Sequence, residues 1–236
     1  MQTKEEKELK DKSYKSLLWL GIVSIIMLFA ALTSCYIVVQ ADNFWVKFNL
    51  PRIFYLSCAI ILLSSATINW AMSSAKKNDT NKTKNALLIT LFLGFAFCGT
   101  QYYAWSEMVK EGKVFRGDIS DLKGEYGKDY VIMFKGKDLV SIDGKFYSEA
   151  DHEHKSPLNQ KINKCYNTAS GFLYVLTGLH LLHLLGGIIY LGIISIRSFK
   201  KRYSSDNLIE LQLCSIYWHF LTGLWIYLFL FLNFIH

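Results

Sequence analysis

The stretch ASGFLYVLTGLHLLHLLGGIIYLGIISI, Ala169–Ile196, decides the fold. It holds no Asp, Glu, Lys or Arg, and it exceeds the ~20 apolar residues that cross a ~30 Å hydrocarbon core as a helix. Four further runs of about 20 residues or more also lack these charges and suit a span: Ser16–Gln40, Ile53–Met72, Leu87–Trp105 and Leu213–Phe234. Overall, 52% of the 236 residues are hydrophobic, only slightly above a soluble protein, so the distribution of residues carries the conclusion. The charges bunch between the runs, with Glu107 two residues past the end of the third. The predicted fold is an all-α membrane protein with five transmembrane helices.

The connections predict how the helices group. Short loops link the first three spans, which makes residues 16–105 an antiparallel group. The long segment 106–165 then separates them from the last two spans, in residues 166–236. The expected arrangement is three plus two. Residues 1–15, MQTKEEKELKDKSYK, lack the short basic region, short apolar run and small-residue cleavage site of a signal peptide, and read as a cytoplasmic tail. Lys and Arg set the orientation. Lys4, Lys7, Lys10, Lys12, Lys15, Lys76, Lys77, Lys82, Lys84, Arg197, Lys200, Lys201 and Arg202 all fall on one side when the N-terminus is inside. The short loop opposite carries only Lys47 and Arg52. The expected topology is N-terminus in, C-terminus out. The formal charge of +7 then reads as topology and lipid headgroup contact, with no nucleic-acid partner, because no soluble basic domain with interleaved aromatics is present.

Within 106–165 the run DYVIMFKGKDLVSIDGKFY, Asp129–Tyr147, is rich in β-branched and aromatic residues, with turn signals at KGKD and Asp143-Gly144. It predicts a small external β-hairpin. Further on, His152 and His154 in DHEHK stand beside Asp151 and Glu153 but lack a defined third ligand, and the segment reads as a solvated loop. The five cysteines form no C-x-x-C and no C-x-x-C-H, so neither a redox dithiol nor a covalent haem is indicated.

The polar residues inside the spans carry the functional question. They fall in stripes at helical spacing: Ser24, Ala31, Ser34 and Cys35; Gly94, Cys98 and Gln101; Thr177, His180, His183 and Gly187; His219, Thr222 and Gly223. Such stripes suit close packing and hydrogen bonding between membrane helices. No carboxylate or cation lies in a span core, which argues against a proton pump or ion-coupled transporter. Counting 1.5 Å per residue, His183 and His219 fall at a similar depth, roughly 21 Å below the outer surface. Two readings stay open. The rings pack, bonding to each other or to Thr177, Thr222 or the Tyr217 hydroxyl. Alternatively, His183 and His219 are axial ligands of a haem, with Gly186, Gly187 and Gly223 clearing space for it, as in a membrane-anchor cytochrome b subunit.

Taken together, TGLHLLH, Thr177–His183, and YWHFLTGLW, Tyr217–Trp225, resemble subunit III of cytochrome c oxidase, in the haem–copper oxidase superfamily. The resemblance rests on Thr177, Gly178, His180, His183, Tyr217, Trp218, His219, Phe220 and Trp225. MLFAALTSCYIV, Met27–Val38, and FLGFAFCGTQYYAW, Phe92–Trp105, are similar to the family's earlier shared helices. Five spans match its short bacterial form. The chain departs from the family where many members have intramembrane carboxylates: Ile25, Ala104 and Thr222 stand there, so a part in proton uptake through such groups is not carried over. The 106–165 insert is also longer than usual.

The resemblance implies a non-catalytic subunit of the aerobic respiratory chain, with no metal and no haem of its own and with bound phospholipid. Its partners would be oxidase subunit I, subunit II and a neighbouring quinol–cytochrome c oxidoreductase, in the bacterial cytoplasmic membrane. Subunit III of a quinol oxidase is the neighbouring alternative.

Overall fold

The computed structural model describes residues 4–142, 145–148, 157–163, 165–199 and 208–235. Five long helices contain the five apolar runs: α1 (Lys4–Asp42), α2 (Ile53–Lys76), α3 (Thr80–Lys110), α5 (Thr168–Phe199) and α6 (Ile209–Phe234). All five are long and apolar enough to cross a membrane. A single turn, α4 (Asn159–Ile162), precedes α5. In chain order the helices stand as three and then two, as expected.

Helix ends follow local chemistry. Asn78, in the left-handed region at φ 56°, ends α2. The Asp79 amide donates to the Ser74 carbonyl, 3.0 Å, and the Asn78 amide to the Ala75 carbonyl, 3.1 Å, a pattern that satisfies the last free carbonyls of the helix. The same Asp79 starts α3, because its Oδ1 accepts the Lys82 amide at 3.1 Å. The Lys82 ammonium bonds its other oxygen and holds the Asp79 carboxyl below its ordinary pKa. Gly112 closes α3 in the same way: Lys113 bonds back to Met108 and Gly112 to Val109. Here glycine is required, since φ is +80° and a Cβ would lie 2.2 Å from the Asp121 carbonyl oxygen. Asn167 caps α5, its Oδ1 accepting the Ser170 amide at 3.2 Å.

The expected tail at residues 1–15 is helical from Lys4 onward, continuous with α1, which is 39 residues and so about 58 Å long. Its charges explain this. Glu6 precedes Lys10, Glu8 precedes Lys12 and Asp11 precedes Lys15, each at the four-residue spacing that supports a solvated helix.

The external hairpin is larger than the sequence reading had it. β2 (Tyr130–Phe134), β3 (Lys137–Ile142) and β4 (Lys145–Ser148) form an antiparallel meander, and β1 (Phe44–Phe48) adds a fourth strand along β2. The KGKD turn is confirmed: Lys135 and Gly136 both have positive φ, 51° and 74°, matching the twist of a two-residue hairpin. β1 comes from the short loop after the first span. Trp45, Val46 and Phe48 of this strand are buried, and Val46 stands opposite Ile132, also buried. Asp143-Gly144, His152, His154, Lys200, Lys201 and Arg202 lie outside the described residues.

The chain forms two compact units. The first comprises Met1–Phe29, Tyr55–Thr100 and Leu179–Tyr227; the second comprises Ala30–Phe54, Gln101–Gly178 and Leu228–His236. The second unit is centred on Tyr36, fully buried against Trp45, Phe231 and Phe172 with ring centroids at 4.7, 5.1 and 5.6 Å. Lys113 is buried with them. Its ammonium pairs with Glu111 and sits 4.6 Å over the Phe48 ring.

Candidate functional site

The intramembrane polar residues fall into separate clusters. In the first unit the side chains of α2 bond outward to α3 and α6. Thr67 Oγ1 meets Thr90 Oγ1 at 2.8 Å, and Ser57 donates to Thr100 Oγ1 at 2.9 Å. Trp218 of α6 is fully buried, and its indole N–H donates to Ser64 Oγ at 2.8 Å. Gly94 makes room for that ring: a Cβ there would stand 3.1 Å from Trp218 and 3.3 Å from Ile188. Gly187 plays the same part for Tyr217, Leu221 and Trp218. These contacts run across the three-plus-two order of the chain, since α2 and α3 both pack on α6.

The three histidines have three different surroundings. His219 uses both ring nitrogens on α2. Ser65 Oγ lies 2.6 Å from Nδ1, and Asn69 Oδ1 lies 2.9 Å from Nε2. The Asn69 oxygen can only accept, so Nε2 carries a hydrogen and donates to it, while the Ser65 hydroxyl is the partner of Nδ1. His183, half-buried, donates from Nδ1 to the Leu179 carbonyl one turn earlier at 2.7 Å, and its ring leans on Phe29. The Tyr217 hydroxyl donates to the His183 backbone carbonyl at 3.1 Å. His180 is fully buried between Phe97 and Trp225, ring centroids at 5.8 and 5.0 Å. Neither of its nitrogens has a hydrogen-bond partner among the described residues.

In the second unit, Thr177 donates to the Leu173 carbonyl at 2.8 Å and accepts the Trp105 indole N–H at 3.1 Å. Gly178 lies beside that indole, where a Cβ would make an ordinary contact at 3.9 Å. Gln101 is fully buried, and neither its amide oxygen nor its nitrogen has a partner among the described residues. In the first unit, Thr222 turns its hydroxyl back to the Trp218 carbonyl, 3.0 Å. Phe220 leans on Tyr217 at 6.5 Å, and Trp225 packs edge-on against Phe97 at 4.9 Å.

This geometry bears on the haem reading. An axial histidine needs one nitrogen free for iron, and both nitrogens of His219 are taken by α2. Gly186 and Gly223 open outward, with nothing within 4 Å of a built Cβ, so they do not frame a porphyrin slot in the core. The residues present do not fit the group. His183 and His219 also bond away from each other. Of the partners that hold these rings, Ser64, Ser65 and Asn69 escaped sequence reading, although Ser57, Ser64 and Ala71 recur every seven residues along one face of the second span.

The fold and these clusters define the class: a multi-pass helical membrane protein with a small antiparallel sheet. Residues 163–235 match the family model of cytochrome c oxidase subunit III. Relatives extend the likeness along the chain. The cytochrome c oxidase subunit 3 of Bacillus sp. (strain PS3) is 24% identical over 216 residues, 89% of this chain and 80% of the relative. The "Probable cytochrome c oxidase subunit 3" of Nocardia farcinica (strain IFM 10152) is 25% identical over 223 residues, 92% and 84% respectively. The Pan troglodytes cytochrome c oxidase subunit 3 is 23% identical over 174 residues, 74% of this chain and 47% of the relative. Within that class, the chain is similar along most of its length to proteins named cytochrome c oxidase subunit 3.

Proposed function

We propose that this chain is the non-catalytic subunit III of a respiratory cytochrome c oxidase, holding the flank of subunit I. One observation supports this above the rest. The residues that carry the family signature, Thr177, Gly178, Tyr217, Trp218, His219 and Trp225, are used in helix-to-helix packing and hydrogen bonding, not gathered around a shared space. Such an interior makes a rigid strut, and catalysis belongs to partner subunits.

The rest of the reading follows from that role. The chain sits in the bacterial cytoplasmic membrane with its N-terminus cytoplasmic and its C-terminus periplasmic. The four-stranded sheet then lies on the periplasmic side and serves contact with subunit II or a neighbouring quinol–cytochrome c oxidoreductase. Phospholipid binds the chain. An open groove of about 300 Å³ lined by Leu18, Gly186, Tyr190, Leu213 and Tyr217 supports this, being apolar along its length with two tyrosine hydroxyls. The test is purification of the tagged chain in mild detergent. Subunit I, haem and copper should co-elute with it, and recovery of the chain alone from membranes that contain active oxidase would refute the reading.

A further inference from the structure

An open cleft of about 510 Å³ lies within the second unit, between the segment that leads into α2 and the end of α3. That volume is in the range of small-molecule sites. Four cations and three carboxylates line the cleft, and only Leu50 and Pro51 bring apolar side chains to it.

The charges divide into engaged and free groups. Lys113 is buried, and its ammonium pairs with Glu111 over the Phe48 ring, so these two charges cancel. Asp129 accepts the Glu125 amide on Oδ2 at 2.9 Å. Gly124 leaves room for this, since a Cβ there would lie 2.8 Å from that oxygen. Arg52, Lys110 and Lys123 are exposed, and their side chains enter no ion pair among the described residues. The Glu107 carboxylate likewise has no partner among them. Three unpaired cations thus stand against one unpaired carboxylate.

The backbone fixes this arrangement. The Lys123 amide donates to the Glu111 carbonyl at 3.0 Å, which brings Lys123 to the end of α3, where Lys110 lies. Like charges gathered without counter-ions repel, and a bound anion reverses the sign of that interaction.

We propose that this cleft binds a small water-soluble molecule through a phosphate group held by Arg52, Lys110 and Lys123. Arg52 offers a planar fork that matches two phosphate oxygens, and the lysines act as point charges. With so little apolar lining the cleft offers no bed for an acyl chain, which favours a dissolved phosphate over a lipid headgroup. The site shares no residue with the apolar groove at Gly186 and Tyr217 and does not depend on the subunit III reading.

The experiment is equilibrium dialysis of the purified full chain, with whatever subunits accompany it, against radiolabelled pyrophosphate at fixed ionic strength. Saturable binding is expected. Lys110→Gln and Lys123→Gln should each weaken it about tenfold or more, the effect of losing one charge-assisted hydrogen bond. Glu107→Gln should tighten it. Arg116, an exposed cation outside the cleft, serves as control, and Arg116→Gln should change nothing. An unchanged melting temperature shows that each variant is folded. Absence of saturable binding, or an equal loss in Arg116→Gln, would overturn the site. Nanodiscs of phosphatidylcholine and of phosphatidylglycerol separate the two sources of phosphate. Pyrophosphate should bind in both, and its complete loss in phosphatidylglycerol would show a lipid headgroup in the cleft and overturn the soluble ligand.

Discussion

His180 is the most exposed to test of the single residues, because it is buried without a hydrogen bond. An unsatisfied buried polar group costs about 1–3 kcal/mol, and an apolar replacement of similar shape removes that cost. His180→Phe, set between Phe97 and Trp225, should leave the melting temperature in detergent unchanged or higher. His180→Ala should lower it, because the cavity costs about 2–4 kcal/mol of stability. A large loss with Phe would mean that the imidazole has a partner the protein needs. His219 predicts the opposite pattern. Both its nitrogens are bonded, so His219→Phe strands Ser65 and Asn69 and should destabilise the chain by about 1–3 kcal/mol in the same melt. The sequence marked all three histidines and left packing and haem ligation open. It could not separate His180 from His219, because the difference lies in Ser65 and Asn69, more than a hundred positions away.

Elements were more legible than their partners. Hydropathy and charge located all five helices, since the hydrocarbon core dictates span length, although α3 begins at Thr80, seven residues before its apolar run. It missed the helical form of the N-terminal tail, where regularly spaced charges rather than apolar residues sustain the turn. It also missed β1: FWVKF sits in a short loop between two spans, although its aromatic and β-branched residues are those that strands favour. The consequence is testable. Ile132 of β2 is buried opposite Val46, so Ile132→Ala should weaken the sheet by about 2–4 kcal/mol. Limited proteolysis should then cut within 125–150 faster while the spans stay protected. Gly112→Ala should be worse placed than any other substitution at the end of α3, because both φ and the Asp121 carbonyl forbid it. A variant that expresses and melts like the parent would show that the turn does not need glycine.

For the whole molecule, the absence of carboxylates from the span cores and the hydrogen bonds of His183 and His219 point one way. Nothing inside the spans is arranged to carry charge, and the signature residues join helices to helices. The fold class and family resemblance were readable from the chain alone, through TGLHLLH and YWHFLTGLW. How the interior is bonded was not, because hydrogen bonds between helices link residues that periodicity on one helix cannot relate. A scaffold role makes a spectral prediction. Purified in mild detergent from aerobically grown cells, the tagged chain should bring a haem–copper oxidase spectrum with it. Separated from that core in harsher detergent, the folded chain should show no haem absorption. A stoichiometric haem α-band remaining on the isolated chain, or lost on His219→Ala, would contradict the scaffold reading directly.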